Sequence, residues 1–166
     1  MGSMKTLCIF HIPGTEFPAS IAEDPDSIFL TIPPVTAPSK PSETGSWRLP
    51  QDYIGVEGLM TEERDALTWL KGRPHVPLGK QGSLHSRMAM GSISLWWFIE
   101  ASLYRQIIKH VTKWLTVIKL AIEKEKVGRV YFFDDSSLFS AAVAAAAKDA
   151  GIEVYPIGYK ERSWVG

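Results

Sequence analysis

The sequence predicts an α/β fold in which a mainly parallel sheet lies between layers of helices, and three observations lead there. Residues 129–158 read as strand, helix and strand. Val130 to Phe133 is apolar and aromatic, Leu138 to Ala150 is alanine-rich without Gly or Pro, and Ile152 to Ile157 is apolar again. That order and spacing form a parallel βαβ unit with a right-handed crossover. Two earlier short apolar runs, Leu7 to Phe10 and Ile28 to Ile32, supply further strands. Finally, the segment entering Val130 is a long amphipathic helix, so strands and helices alternate as layered α/β domains require.

Each element has its own signals. The first strand begins at Leu7 and runs into His11-Ile12-Pro13-Gly14-Thr15, where Pro and Gly stop it and Gly14 allows a tight turn. Pro33 to Pro50 is rich in Pro, Ser and Thr and reads as a loop or mobile excursion. Thr61 is the expected cap of a helix carrying Ala66, Leu67 and Leu70, ended by Gly72 and Pro74. Ser92 or Ser94 caps the next helical segment, which reaches Lys126. A single helix of that length would extend ~50 Å, so a break is expected near Ser102 to Gln106. Beyond it Ile107, Ile108, Val111, Leu115, Ile118 and Ile122 form one apolar stripe. The last helix starts behind Asp134-Asp135-Ser136-Ser137, with Asp135 or Ser136 the expected cap, and Gly151 closes it. Ala142 and Ala144 to Ala147 let that helix lie close on the sheet.

Composition narrows the function. The chain has 166 residues, suited to one domain from residue 4 to residue 166, and Met1-Gly2-Ser3 reads as an expression scar. Its net charge of zero gives no field for nucleic acid, and none is expected as a partner. Cys8 is the single cysteine, which excludes an internal disulfide and a cysteine zinc cage. The apolar stretch from Ser92 is interrupted by Glu100, Arg105, Lys109 and Lys113, well short of the ~20 apolar residues of a membrane span. No secretory signal follows Met4, so a cytoplasmic protein is expected.

Candidate chemistry gathers at strand ends. In parallel sheets ligands bind at the carboxyl edge. That edge should bring together His11, Gly14 and Thr15 with Asp134, Asp135, Ser136 and Ser137, as a pocket for a phosphate or a sugar hydroxyl. The same residues also have plain roles, with Asp or Ser capping a helix and His11 bonding to nearby backbone. A Gly-rich basic loop with Lys80, His85 and Arg87 could hold phosphate over the pocket or merely stay solvated. No G-x-G-x-x-G, Walker, G-x-S-x-G or H-E-x-x-H pattern occurs, and the histidines lack metal spacing, so no cofactor or metal is expected and the catalytic residues are unassigned. Trp96-Trp97-Phe98, with Arg105, Lys109 and Lys113 downstream, admits three readings: a buried core helix, an interface for a second domain or second copy, or a peripheral membrane helix at the inner face.

Ile93-Ser94-Leu95-Trp96-Trp97-Phe98, a long helix, Val130 to Ser137 and the Ala-rich helix to Gly151-Ile152-Glu153-Val154 together resemble a known family over residues 92–157. They look like the N-terminal half of GT-B-type glycosyltransferases of surface polysaccharide and lipid-linked glycan synthesis. The resemblance implies a Rossmann-like, acceptor-side domain, with a glycan acceptor or sugar nucleotide as partner and most of the donor site on another domain. Pro156-Ile157-Gly158-Tyr159 stands where that family has a Gln-His-Gly-like turn, so the resemblance does not imply catalysis by this chain alone. A stand-alone module for a nucleotide or phosphorylated metabolite, and a non-catalytic interaction subunit, are the competing readings.

Overall fold

The structure is a computed structural model that describes residues 4–33, 35, 45–77, 82–105 and 109–158. Met1-Gly2-Ser3, Lys80, most of the Pro33 to Pro50 segment, Ile107, Ile108 and the tail from Tyr159 lie outside the described residues. The chain divides into two compact units, residues 1–55 with 114–166, and residues 56–113.

The first unit holds a five-stranded parallel sheet in the order β3-β2-β1-β6-β7, built from β1 (Lys5–Phe10), β2 (Ser27–Thr31), β3 (Ser46–Arg48), β6 (Val127–Asp134) and β7 (Glu153–Gly158). Central β1 and β2 are almost continuously buried, as expected of strands covered on both faces. β1 pairs with β6 through Leu7 opposite Val130 and Ile9 opposite Phe132. From β1 the chain steps outward to β2 through helix α1 (Ala19–Ala22), and from β6 it steps the other way to β7 through helix α6 (Leu138–Asp149). Crossovers of the same right hand therefore place α1 and α6 on opposite faces. This is the three-layer, Rossmann-like α/β/α arrangement, and all four expected strands belong to it in parallel.

One face of the sheet is aromatic. Cys8, Phe10, Phe29 and Phe133 join Ile12 and Phe17 in a buried cluster, with Ile21 and Ala22 of α1 packed against it. Phe10 lies edge-on to Phe17 at 4.7 Å between centroids, and Trp47 stacks on both Phe29 and Phe10 at 5.0 and 5.4 Å. Trp47 explains a difference from the sequence reading, which made the whole of 33–50 a loop. Its indole is the one aromatic side chain there, and docking it on Phe29 carries Ser46–Arg48 into register beside β2. Gly45 precedes it against the Phe29 ring, where an added Cβ would collide with the aromatic carbons.

Helix α5 (Lys109–Glu125) leads into β6 through the single residue Lys126, whose φ is +54°. Ile118 and Ile122 of the expected stripe are buried, together with Val117 and Ala121 beside them, while Val111 and Leu115 are half-buried. Its last residue, Glu125, accepts hydrogen bonds from Lys5 Nζ at 3.0 Å, Arg48 Nε at 3.3 Å and Tyr53 OH at 3.4 Å. One carboxylate thus ties the starts of β1 and β6, the end of β3 and the turn at Pro50–Asp52. Burial works to raise its pKa, but Lys5 and Arg48 prevail and hold it below the ordinary value.

Helix α6 shows a correction at its start. Ser137 is the cap, its Oγ accepting from the Ser140 amide at 3.2 Å, whereas Ser136 is in the left-handed region with φ +61°. Two successive Asx turns produce the offset: Asp134 Oδ1 accepts from Ser136 N and Asp135 Oδ1 from Ser137 N. At the other end Gly151 has φ +69°, its N–H bonds Lys148 O, and Ile152 N–H bonds Ala147 O. This is a Schellman closure, which glycine adopts without a Cβ penalty.

The second unit contains helix α2 (Val56–Gly72), a short helix α3 (Leu84–Arg87), a hairpin of β4 (Ala89–Met90) and β5 (Ile93–Ser94), and helix α4 (Trp96–Leu103). Thr61 is therefore inside α2 rather than its cap. Gly58 lowers helix propensity by only about 1 kcal/mol, too little to stop the helix starting at Val56 with Glu57 in its first turn. The cap of α4 is also different: Leu95 occupies it, while Ser94 is buried in β5 and accepts from Trp96 N at 3.3 Å. The expected break is bracketed by the end of α4 at Leu103 and the start of α5 at Lys109, with residues 106–108 outside the described set.

Three substitutions test this packing by chemical denaturation. Ser137→Ala is expected to lower stability by about 1 kcal/mol, and Ser136→Ala, outside the cap, to leave the α6 start capped. Gly45→Ala is expected to lower it by about 1–3 kcal/mol, because the buried Phe29 ring has no room to yield.

Candidate functional site

The strand order reverses direction between β1 and β6, the position at which open parallel sheets bind ligands at their carboxyl edge. His11 follows β1 on one side, and the Asp134–Ser137 turn follows β6 on the other. The expected convergence of these loops is present at atomic distance. His11 Nε2 is 3.9 Å from Asp135 Oδ1 and 3.5 Å from Ser140 Oγ, and its ring lies 4.8 Å from that of Phe139. His11 thus contacts groups far along the chain instead of only its neighbours.

Ser140 is the member that the sequence reading missed. It is buried, and its hydroxyl lies 2.7 Å from Asp135 Oδ1, the shortest of its contacts and the natural destination of its single proton. The available signal was modest: a serine in an otherwise alanine-rich helix, three residues after the cap and so on the same side as the turn. Asp135 Oδ1 consequently gathers the Ser137 amide, the Ser140 hydroxyl and the His11 ring. Burial tends to raise the Asp135 pKa, yet the hydrogen bonds from Ser137 and Ser140 outweigh it, and the carboxyl is held below its ordinary value.

His11 has the opposite problem. Its side chain is 7% exposed, and burial, the largest effect, lowers its pKa despite the opposing pull of Asp135 and Asp134. The ring is therefore neutral at pH 7. A proton on Nε2 faces the Asp135 carboxylate and leaves Nδ1 as an acceptor. Nδ1 is buried and has no hydrogen-bond partner among the described residues. A buried polar atom left so costs about 1–3 kcal/mol, and it is the atom that a bound hydroxyl or water would satisfy.

The remaining candidates divide. Gly14 takes φ +73° to turn the loop, and Thr15 Oγ1 donates back to Ile12 O at 2.8 Å, bracing that turn. Asp134 and Ser136 are linked by their Asx turn. His85 and Arg87 belong to α3 in the second unit, where His85 lies beside His75 at 5.2 Å between centroids, while Lys80 is outside the described residues. Among the described residues no group of three or more His, Cys, Asp or Glu side chains could hold a metal.

The fold and these contacts define a Rossmann-like α/β domain with a polar cluster at its carboxyl edge. Comparison with protein-family models, with curated proteins and with solved structures finds no match.

The site predicts a pH dependence of stability. His11 titrates lower when folded than its ordinary 6.5, so the unfolded chain binds the proton more readily, and stability falls as pH drops below about 6.5. Thermal melts of His11→Gln are expected to lose that portion of the slope. Asp135 and Glu125, both depressed, account for a second loss at lower pH, below their ordinary 3.8 and 4.5.

Proposed function

We propose that this chain is a binding domain for a hydroxyl-bearing ligand, a sugar or the ribose of a nucleotide, held at the carboxyl edge between β1 and β6. The observation that carries the reading is the buried His11 with Nδ1 unpartnered beside ionised Asp135. A neutral imidazole and a carboxylate both accept hydrogen bonds, which suits a ligand that donates them. The start of α6 offers the dipole that favours phosphate. However, Asp134 and Asp135 already bond the amides of Ser136 and Ser137, and their charges oppose an anion. Sugar hydroxyls fit this balance better than a phosphate does.

In its particular form the proposal is the acceptor-side domain of a glycosyltransferase of cell-surface glycan synthesis, a reading supported by the resemblance over residues 92–157. There the His11–Asp135 pair would orient an acceptor hydroxyl. A nucleotide or phosphorylated-metabolite module is the second reading, favoured by the helix start alone.

Amide NMR titration separates them. Free sugars and nucleosides are expected to shift the His11 and Ser140 resonances, with His11→Asn weakening the response about tenfold. Shifts with inorganic phosphate, and none with a nucleoside or sugar, would replace this reading with the second.

A further inference from the structure

A surface of the second unit has no role in the strand-edge cluster and carries its own chemistry. The β4–β5 hairpin places Met90 directly opposite Ile93, and these side chains are 68% and 60% exposed. The next element, α4, begins with Trp96 buried but leaves Trp97 62% and Phe98 72% exposed, with Leu95 and Ile99 also accessible. The single acid of α4, Glu100, is occupied, accepting from Trp96 Nε1 at 2.8 Å. Large apolar side chains left to solvent on two successive elements mark a docking site.

Charge identifies the occupant. From Ala66 to Ile99 the sequence contains no Asp or Glu, against Lys71, Arg73, Arg87 and Lys80, the last outside the described residues. Two basic side chains meet aromatic rings of this unit: Arg73 lies over the Trp69 ring at 4.2 Å, and His85 lies 6.4 Å from Trp97. We infer that this face of the second unit, led by Met90, Ile93, Trp97 and Phe98, docks onto an anionic lipid bilayer. Trp and Phe seat in the interfacial zone, while the basic side chains of a stretch without carboxylates, Lys71, Arg73 and Arg87, are drawn to negative headgroups. Self-association by the same patch is disfavoured, because an isologous contact sets each basic rim against its copy. The described residues contain no helix long and apolar enough to cross a membrane, so the contact is peripheral.

Vesicle flotation of the full chain is the test, comparing phosphatidylcholine alone with phosphatidylcholine containing phosphatidylglycerol. The chain is expected to float with the anionic vesicles, less so at high salt. Trp97→Ser with Phe98→Ser is expected to reduce the bound fraction about tenfold or more. Ile93→Ser, with a thermal midpoint unchanged from the parent, is expected to act in the same direction and decides the matter if the double variant is unfolded. Absence of flotation with anionic vesicles, or flotation that neither variant reduces, would overturn the inference. A dimer seen by sedimentation and dissolved by these variants, without flotation, would assign the face to a second copy instead.

Discussion

The pairing of β1 with β6 is the constraint on which the sheet unit depends. These strands are separated by more than half the chain, yet their parallel ladder sets the centre of the sheet. Because both strands run the same way, their last residues finish at one edge, and the chain leaves that edge in opposite directions. The result is a carboxyl edge at which His11 from one side meets Asp135 and Ser140 from the other. Aromatic packing secures the arrangement on one face, where Phe10 of β1 meets Phe29 of β2, Phe133 of β6 and Trp47 of β3. Glu125 fixes the opposite edge, so the polar loops are carried by a sheet anchored at both ends of its strands.

The sequence disclosed most of this where structure is local. β1, β2, β6 and β7 announce themselves as short β-branched and aromatic runs, and α6 by its alanines and Gly151. What escaped was set by distant partners. Ser46–Arg48 has no strand pattern of its own and is recruited by Trp47 on Phe29. The choice of Ser137 over Ser136 as cap depends on two Asx turns, which composition alone does not rank. Site residues followed the same division. His11 and Asp135 were legible because strand ends converge in parallel sheets, but Ser140 required knowing which side of α6 faces the β1 loop.

The site is acceptor-rich for a physical reason. At a helix start the usual attraction is between free amides and an anion, and here the protein supplies the anions itself. Asp134 and Asp135 fold back on the amides of Ser136 and Ser137, so the local charge is already provided from within. His11 is kept neutral by burial although it lies beside one of those carboxylates. A ligand entering this environment meets lone pairs more readily than donors, which favours hydroxyl groups over phosphate.

Pro156 stands opposite Phe132 in β7, at the open margin of the sheet. Proline has no N–H, so the outward row of donors on that strand is interrupted in its middle. A loose strand from another molecule therefore cannot form an unbroken ladder there, and the protein is protected on this side against growth into intermolecular sheet. At the far margin β3 is only three residues long and offers little length to copy. The sheet thus ends where it does for a covalent reason on one side and for want of length on the other.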